Sequence, residues 1–269
     1  MSGRVAEVPS PAPGAPALVF PGQGAQTVGM AGDWVEACPP AADLFARASS
    51  ILGWDLLAVA RSGPAERLNT TAVSQPAILV TSLAALEVLR RRPDNPLAAA
   101  TVTAGLSLGE YTALVFAGAL GFDDAVRLVD VRGRAMQECA ETRPGAMVAV
   151  LGLEREKVAT LCDECREADV LEVANVLCPG NVVASGSIAA CRRLEGAAPA
   201  AGAIKCVPLE VAGAFHTVLM EPAVGRLSAA LEAADLRPPR IPVVSNVDAR
   251  PHVDPAEIRR LLERQVAGV

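Results

Sequence analysis

The sequence predicts an α/β protein with two parts: a large subdomain built on a mostly parallel sheet, and a small subdomain inserted in it. Strand-like and helical segments alternate over most of the 269 residues, as they do in parallel sheets. From about Gly145 the order of segments changes, which marks the insertion. Hydrophobic residues make up 51% of the chain and aromatic residues only 3%, so Ala, Val and Leu must fill the core.

The large subdomain is predicted over 17–142 and 212–269, after a Pro-, Ala- and Gly-rich leader at 1–16 that is expected to be disordered. Its strands are expected at Ala17–Phe20, 100–104 and 241–244. Its helices are expected at 75–92, 110–117, 124–139, 217–233 and 255–265. Helices between strands are the usual connection of parallel neighbours, so this sheet should be mostly parallel.

The small subdomain is predicted over 143–211. Its strands are expected at 146–150, 171–173, 181–185 and 203–207, and its helices at 154–168 and 188–194. The resulting order, βαββαβ, is typical of a ferredoxin-like unit.

Charge and cysteine content exclude several classes of protein. The net charge of −6 and the pI of about 5.1 argue against general nucleic-acid binding. The sequence has no apolar run of about 18 residues, so no membrane span is expected. The leader has no apolar stretch typical of a signal peptide. The seven cysteines form no disulfide framework, so reduced thiols and a cytoplasmic location are expected. Cys162 and Cys165 have C-x-x-C spacing inside a predicted helix, without a second ligand pair, so no metal is expected.

The segment Gly105-Leu106-Ser107-Leu108-Gly109 is the strongest single indication of chemistry. It has the pattern G-x-S-x-G and stands between a predicted strand and a predicted helix. This is the nucleophile elbow of hydrolase-like α/β folds, in which a sharp turn exposes the serine hydroxyl at the end of the sheet. The glycines leave room for strand and helix to approach, and the helix start directs N–H groups at the reacting centre.

A nucleophilic serine needs a base, and the chain has two histidines. His252 stands in a polar turn, and we assign it no catalytic part. His216 follows a strand exit and precedes a predicted helix where the large subdomain resumes, so it is the candidate base.

Four segments together resemble the malonyl-CoA:acyl-carrier-protein transacylase family. In order along the chain they are 20–26 (F-P-G-Q-G-A-Q), 105–111 (G-L-S-L-G-E-Y), 131–137 (V-R-G-R-A-M-Q) and 215–217 (F-H-T). The family patterns are F-P-G-Q-G-x-Q, G-H-S-L-G-E-Y, R-G-x-x-M-Q and a base segment. The resemblance continues to 264–265 and so covers nearly everything after the leader.

The resemblance implies the catalytic roles. Ser107 would be the nucleophile and His216 its general base. The backbone carbonyl of Gln265 would orient the imidazole in place of a carboxylate. The N–H groups of Leu108 and Gln23 would form the oxyanion hole.

The same resemblance implies how the substrate is held. Arg132 would bind the free carboxylate of the malonyl group, since a guanidinium makes two parallel hydrogen bonds to a carboxylate. Phe215 favours malonyl over methylmalonyl substrates, and Asn175 would line the site. Arg127 and Arg134 share the helix of Arg132 and are expected to be surface residues.

The implied reaction moves malonyl from coenzyme A to Ser107 and then to the phosphopantetheine thiol of acyl carrier protein, in fatty-acid synthesis. Malonyl-CoA and acyl carrier protein are therefore the expected partners, and a monomer without metal or bound organic cofactor is expected. Arg90, Arg91 and Arg92 are either a docking patch for the acidic carrier protein or a solvated helix end.

Three features depart from the family pattern. Leu106 replaces the family histidine before the serine, and we expect it to have a packing role; the loop at 177–181 also differs from the family's N-S-P-G-Q. The chain stops four residues after Gln265, where the family continues for about one strand and one helix, so the C-terminus is expected to be short.

Two other functions stay open. A serine esterase or thioesterase would share Ser107 and His216 but would have no use for Arg132. A non-catalytic homologue that binds carrier protein would be compatible with Leu106 and the short C-terminus.

Overall fold

The computed structural model describes residues 14–268, so the predicted leader lies outside the described residues up to residue 13. Its contacts divide the chain into two compact units. The described residues of unit 1 run up to Asn69 and continue over Val73–Asp130 and Ala230–Leu261. Unit 2 comprises Thr70–Ala72, Val131–Ala229 and the described residues from Leu262 onwards. The subdomain boundaries at 143 and 211 stay a prediction.

The strands and helices are numbered in chain order. The strands are β1 (Ala17–Phe20), β2 (Val102–Gly105), β3 (Gly145–Leu151), β4 (Leu171–Cys178), β5 (Asn181–Ser187), β6 (Lys205–Pro208), β7 (Val243–Val244) and β8 (Pro251–His252). The helices are α1 (Gly32–Ala37), α2 (Pro39–Leu52), α3 (Leu56–Ser62), α4 (Ala65–Leu68), α5 (Thr71–Arg90), α6 (Gly109–Phe116), α7 (Phe122–Thr142), α8 (Arg155–Arg166), α9 (Ile188–Ala197), α10 (Glu221–Ala233) and α11 (Pro255–Ala267). This pattern confirms the predicted α/β class.

Unit 1 contains a four-stranded sheet in the order β1-β2-β7-β8. The pairs β1/β2 and β2/β7 are parallel and β7/β8 is antiparallel, so the sheet is mostly parallel as predicted. Phe20 is level with Gly105 in the register of β1 and β2. The carboxyl ends of β1, β2 and β7 therefore lie at one edge of the sheet, which is where open α/β sheets carry their sites. Helices α1–α4 and strand β8 have no counterpart in the sequence prediction.

Unit 2 contains an antiparallel sheet in the order β4-β5-β3-β6. With α8 and α9 it completes the βαββαβ succession expected of a ferredoxin-like unit. One face of the sheet and the two helices share an apolar core that includes Val148, Leu171 and Leu194. Cys162 and Cys191 are part of this core, and burial raises the pKa of Cys162 to about 12 and that of Cys191 to about 11. These thiols are therefore protonated core residues at neutral pH.

Helix α5 begins at Thr71, four residues before the predicted start. The side chain of Gln137 accepts a hydrogen bond from the backbone N–H of Thr71 (2.8 Å) and so satisfies a helix-start donor from a distant segment. By length and composition, α5 alone among the described helices could cross a membrane. This is weak evidence for a membrane span, because buried core helices pass the same test and 56% of its most apolar window is buried.

Candidate active site

The turn between β2 and α6 depends on two glycines. A Cβ on Gly105 would stand 2.0 Å from backbone atoms of Gly109, and a Cβ on Gly109 would stand 2.4 Å from the carbonyl oxygen of Phe20. No side chain fits at either distance, so only glycine lets the strand run directly into the helix. The geometry is that of the elbow expected from the G-x-S-x-G pattern.

Ser107 stands at the tip of this turn with a left-handed backbone, at φ 49°. Non-glycine residues rarely adopt this conformation, and it persists only where surrounding contacts hold it. Four amides of the turn are occupied: Leu106 donates to Phe20, Ser107 to Asn246, Gly109 to Leu106 and Glu110 to Ser107. Within the described residues, the N–H of Leu108 is the one amide from 106 to 110 without a partner. It is therefore available to a substrate oxygen.

The loop after β1 lies against the same turn. A Cβ on Gly22 would stand 2.4 Å from the carbonyl oxygen of Leu106, so this loop approaches the elbow at the distance of backbone contact. Gln23, the next residue, is half-buried. Unit 1 thus brings Gln23, Ser107 and Leu108 to one edge of its sheet, at the carboxyl ends of β1 and β2.

His216 lies in unit 2, in a turn before a short 3-10 helix at Val218–Met220 and α10. Its backbone is left-handed at φ 59°, and its ring is buried. Nδ1 lies 2.6 Å from the backbone carbonyl oxygen of Gln265. A carbonyl can only accept, so Nδ1 carries the proton and Nε2 has the lone pair of a base. Gln265 is two residues from the end of α11, where helix carbonyls have no intrahelical partner.

Arg132 shares Gln265 with His216. Its guanidinium Nη2 donates to the side-chain Oε1 of Gln265 (3.0 Å), while the backbone carbonyl of the same residue accepts from His216. Arg132 is only 1% exposed, whereas Arg127 and Arg134 on the same helix are exposed. Unit 2 therefore brings Arg132, His216 and Gln265 together.

The surroundings of His216 favour its neutral form. The pKa of the imidazole is lowered from 6.5 to about 4, first by burial and then by the positive charge of Arg132, while the hydrogen bond to Gln265 acts to raise it. At neutral pH the ring is therefore uncharged and able to accept a proton.

Comparison with known proteins defines the family. Residues 17–265 match the profile of the acyl transferase domain. The chain belongs to the acyl transferase domain family. It is 43% identical over 250 residues to the malonyl CoA-acyl carrier protein transacylase of Escherichia coli K12, covering 93% of this chain and 80% of that protein. The corresponding protein of Bacillus subtilis is 40% identical over 251 residues, covering 93% and 78%.

Solved structures of such transferases have the same fold. An acyl carrier protein S-malonyltransferase from Vibrio cholerae superposes with a TM-score of 0.86 at 40% identity, covering 94% of this chain and 81% of that one. A malonyl-transacylase in complex with a type II PKS acyl-carrier protein superposes with a TM-score of 0.87, also at 40% identity and with the same coverage.

Three further residues named from the sequence of this acyl transferase domain lie as follows. Phe215 is buried beside His216 in the same turn. Asn175 is half-buried at a bulge of β4, and its place in the site stays a prediction. Leu106 is 40% exposed and stands at the end of the sheet, where its Cγ lies over Gly22, so its expected packing role stays a prediction.

Two of the three arginines at 90–92, considered above as a docking patch, pair with acidic residues close to them in the chain. Arg90 pairs with Glu87, and Arg92 makes two 3.0 Å hydrogen bonds to Asp94. Arg90 also lines a cleft of about 430 Å³ with residues that precede β2 and β7. That cleft is at the amino ends of these strands, the edge opposite Ser107. A docking role for the cluster stays a prediction.

Sequence reasoning missed the polar residues that support the site. Asn246, after β7, accepts from the N–H of Ser107, and Glu110 on α6 is buried although it is charged. A charged residue in the apolar run of α6 was the available signal for Glu110. His252 is buried in β8 between Asp248 and Glu257 rather than in an open polar turn. In the described residues, no group of three or more His, Cys, Asp or Glu side chains could hold a metal.

Proposed function

We propose that this chain transfers the malonyl group from malonyl-CoA to the phosphopantetheine thiol of acyl carrier protein, through a malonyl ester of Ser107, for fatty-acid synthesis. The observation that carries the proposal is the buried Arg132, whose guanidinium shares Gln265 with the candidate base His216. The names of the transacylases described above agree with it.

A buried guanidinium suits a substrate that carries a carboxylate. Burying a cation is costly unless it is hydrogen-bonded and compensated. The side chain of Gln265 is a neutral acceptor for Nη2 of Arg132. A malonyl thioester has a free carboxylate at the end away from the reacting carbonyl, and the guanidinium fork matches it. An esterase for neutral acyl groups would gain nothing from this cation.

In the first half-reaction, Ser107 Oγ attacks the thioester carbonyl and gives its proton to His216 Nε2. The proposal requires these two atoms to come within hydrogen-bond distance when substrate is bound. The oxyanion would accept from the N–H of Leu108, the unoccupied amide of the elbow, and from that of Gln23. As the carbon–sulfur bond breaks, the imidazolium returns the proton to the departing thiolate of coenzyme A.

In the second half-reaction, the phosphopantetheine thiol gives its proton to His216 and attacks the ester carbonyl. The ester carbon–oxygen bond breaks, and the proton passes from His216 to Ser107 Oγ. Free enzyme and malonyl carrier protein result. Gln265 holds the imidazole in the same tautomer for both steps.

The remaining parts of the proposal concern partners and setting. We propose that the enzyme is a monomer that works in the cytoplasm without metal, bound organic cofactor, nucleic acid or membrane, with coenzyme A and phosphopantetheine as carriers only. The seven free cysteines support a reducing compartment, and the net charge of −6 argues against nucleic acid.

The decisive experiment is peptide mass spectrometry after brief mixing with malonyl-CoA. We expect a malonyl ester on the Ser107 peptide that disappears when carrier protein bearing phosphopantetheine is added, with malonyl appearing on the carrier. Ser107→Ala should give no ester. Arg132→Ala should lose the ester, while Arg127→Ala, an exposed arginine on the same helix, should keep it.

The other functions predict different outcomes. Release of free malonate in place of transfer would favour the esterase or thioesterase. A folded protein that binds carrier protein equally well with and without Ser107, and never forms the ester, would favour the non-catalytic homologue.

A further inference from the structure

The left-handed backbone of Ser107 must be held by contacts outside the turn. The turn places Ser107 at φ 49° between two glycines that cannot carry a side chain. A residue in this region stores strain that relaxes unless neighbouring groups prevent it. Hydrogen bonds within the turn, from Gly109 to Leu106 and from Glu110 to Ser107, are also compatible with an ordinary helix start.

One side chain holds the peptide groups on both sides of Leu106. Oδ1 of Asn246 accepts from the N–H of Ser107 (2.9 Å), and Nδ2 of Asn246 donates to the carbonyl of Gly105 (2.7 Å). Asn246 follows β7, the strand that pairs with β2. Its amide therefore acts at the point where the β2 ladder ends and the turn begins.

Glu110 in turn holds Asn246. Its Oε2 accepts from Nδ2 of Asn246 (2.6 Å) and from the backbone N–H of Asn246 (3.1 Å). The carboxyl group is only 2% exposed, and hydrogen bonds in such a buried position are stronger than those in water. Glu110 also donates its own N–H to the carbonyl of Ser107, so the hydrogen-bond network begins and ends at the nucleophile.

We propose that Asn246, fixed by the buried carboxylate of Glu110, is the positioning residue that holds Ser107 in its left-handed conformation and directs its hydroxyl at the substrate. The inference deepens the proposed function, on which it rests, because it assigns what keeps Ser107 ready for acyl transfer. The network also consumes the N–H of Ser107, and so leaves the N–H of Leu108 as the elbow's oxyanion donor.

The test measures the reactivity of Ser107 in two ways: the single-turnover rate of malonyl ester formation and the rate of sulfonylation by phenylmethanesulfonyl fluoride, which requires no malonyl group. Asn246→Ala removes the amide, and we expect both rates to fall about 100-fold with KM for malonyl-CoA little changed, since misplacement by about 1 Å has this effect. Both rates should fall by the same factor in Glu110→Leu. Glu110→Gln keeps an oxygen acceptor, so its two rates should fall by less than about tenfold.

Three further variants separate positioning from general destabilisation. Asn246→Asp keeps the acceptor for Ser107 but places a second carboxylate against Glu110, so its rates should fall, and Asn246→Asp combined with Glu110→Gln should recover part of the loss. Leu56→Ala, which removes a buried side chain of α3 in the same unit, should lower the melting temperature while the folded protein keeps its rates.

Sulfonylation of folded Asn246→Ala within about twofold of the unsubstituted protein would overturn the inference, and so would an equal loss of rate in Leu56→Ala. The proposed function is tested separately. If the unsubstituted protein forms no malonyl ester but its sulfonylation slows in Asn246→Ala, the positioning role stands and malonyl transfer fails.

Discussion

Lowering the pH tests the role of His216 directly, because its buried ring should remain a base in acid where an exposed histidine would not. The pKa of His216 is lowered from 6.5 to about 4, first by burial and then by the charge of Arg132. We therefore expect ester formation on Ser107 to continue well below pH 6.5.

The expected size of the effect follows from these two values. At pH 5.5 a group with a pKa of about 4 is about 97% neutral, while one with a pKa of 6.5 is only about 9% neutral. Ester formation at pH 5.5 should thus keep nearly its full rate, where an unperturbed histidine would leave about a tenth. The difference between these two pKa values corresponds to about 3 kcal/mol, by which the fold disfavours the protonated ring. Because the unfolded chain takes up this proton first, folding stability should be lost as the pH falls from 6.5 towards 4.

The assay is the single-turnover rate of Ser107 ester formation from pH 4.5 to 8, with circular dichroism at each pH to follow the folded fraction. The first half-reaction is chosen because it does not depend on ionisation of the acceptor thiol. Sulfonylation of Arg132→Met should show an acid limb moved to higher pH, because the neighbouring cation is gone; Arg127→Met should not. An acid limb near 6.5 in the unsubstituted protein would refute the argument from burial.

Three further predictions concern binding and stability. Arg132→Ala should reduce kcat/KM for malonyl-CoA by at least about 100-fold and improve the relative rate with acetyl-CoA, as steady-state assays on both thioesters would show; an unchanged malonyl preference would contradict the assigned role. Burial lowers the pKa of His252, but hydrogen bonds to two carboxylates outweigh it and raise the pKa above 6.5, so its stabilisation is fully present below pH 6.5 and is lost as the pH rises through the raised value. Urea unfolding should accordingly show that His252→Asn lowers the free energy of unfolding most in acid. A loss of unfolding free energy that does not change with pH would contradict this prediction. Gly109→Ala should destabilise the protein by about 1–3 kcal/mol or prevent folding, while Gly225→Ala, in open space on α10, should stabilise it by about 0.5–1 kcal/mol, both measured by thermal unfolding.

The sequence by itself determined the features that depend on near neighbours. Periodicity located β1 at Ala17–Phe20 and the succession βαββαβ, because the spacing of apolar residues reflects which face of an element is buried. The elbow was likewise predictable from the G-x-S-x-G pattern, since Gly105 is required by contact with Gly109 in the same turn, whereas Gly109 is required by the backbone of Phe20 in the neighbouring strand. The family followed from four short motifs in order, and the comparisons confirm it.

Only the tertiary structure decided which polar groups meet. Arg132 and Gln265 are 133 residues apart, and Glu110 and Asn246 are 136 apart, so no local pattern indicates either pair. The early start of α5 also depends on a distant residue, because the side chain of Gln137 accepts the hydrogen bond from the N–H of Thr71. Burial of a guanidinium or a carboxylate depends on what several distant segments pack around it, which a periodic pattern along one helix cannot show. The sequence therefore indicates which residues could do the chemistry, and packing decides which side chains hold them in place.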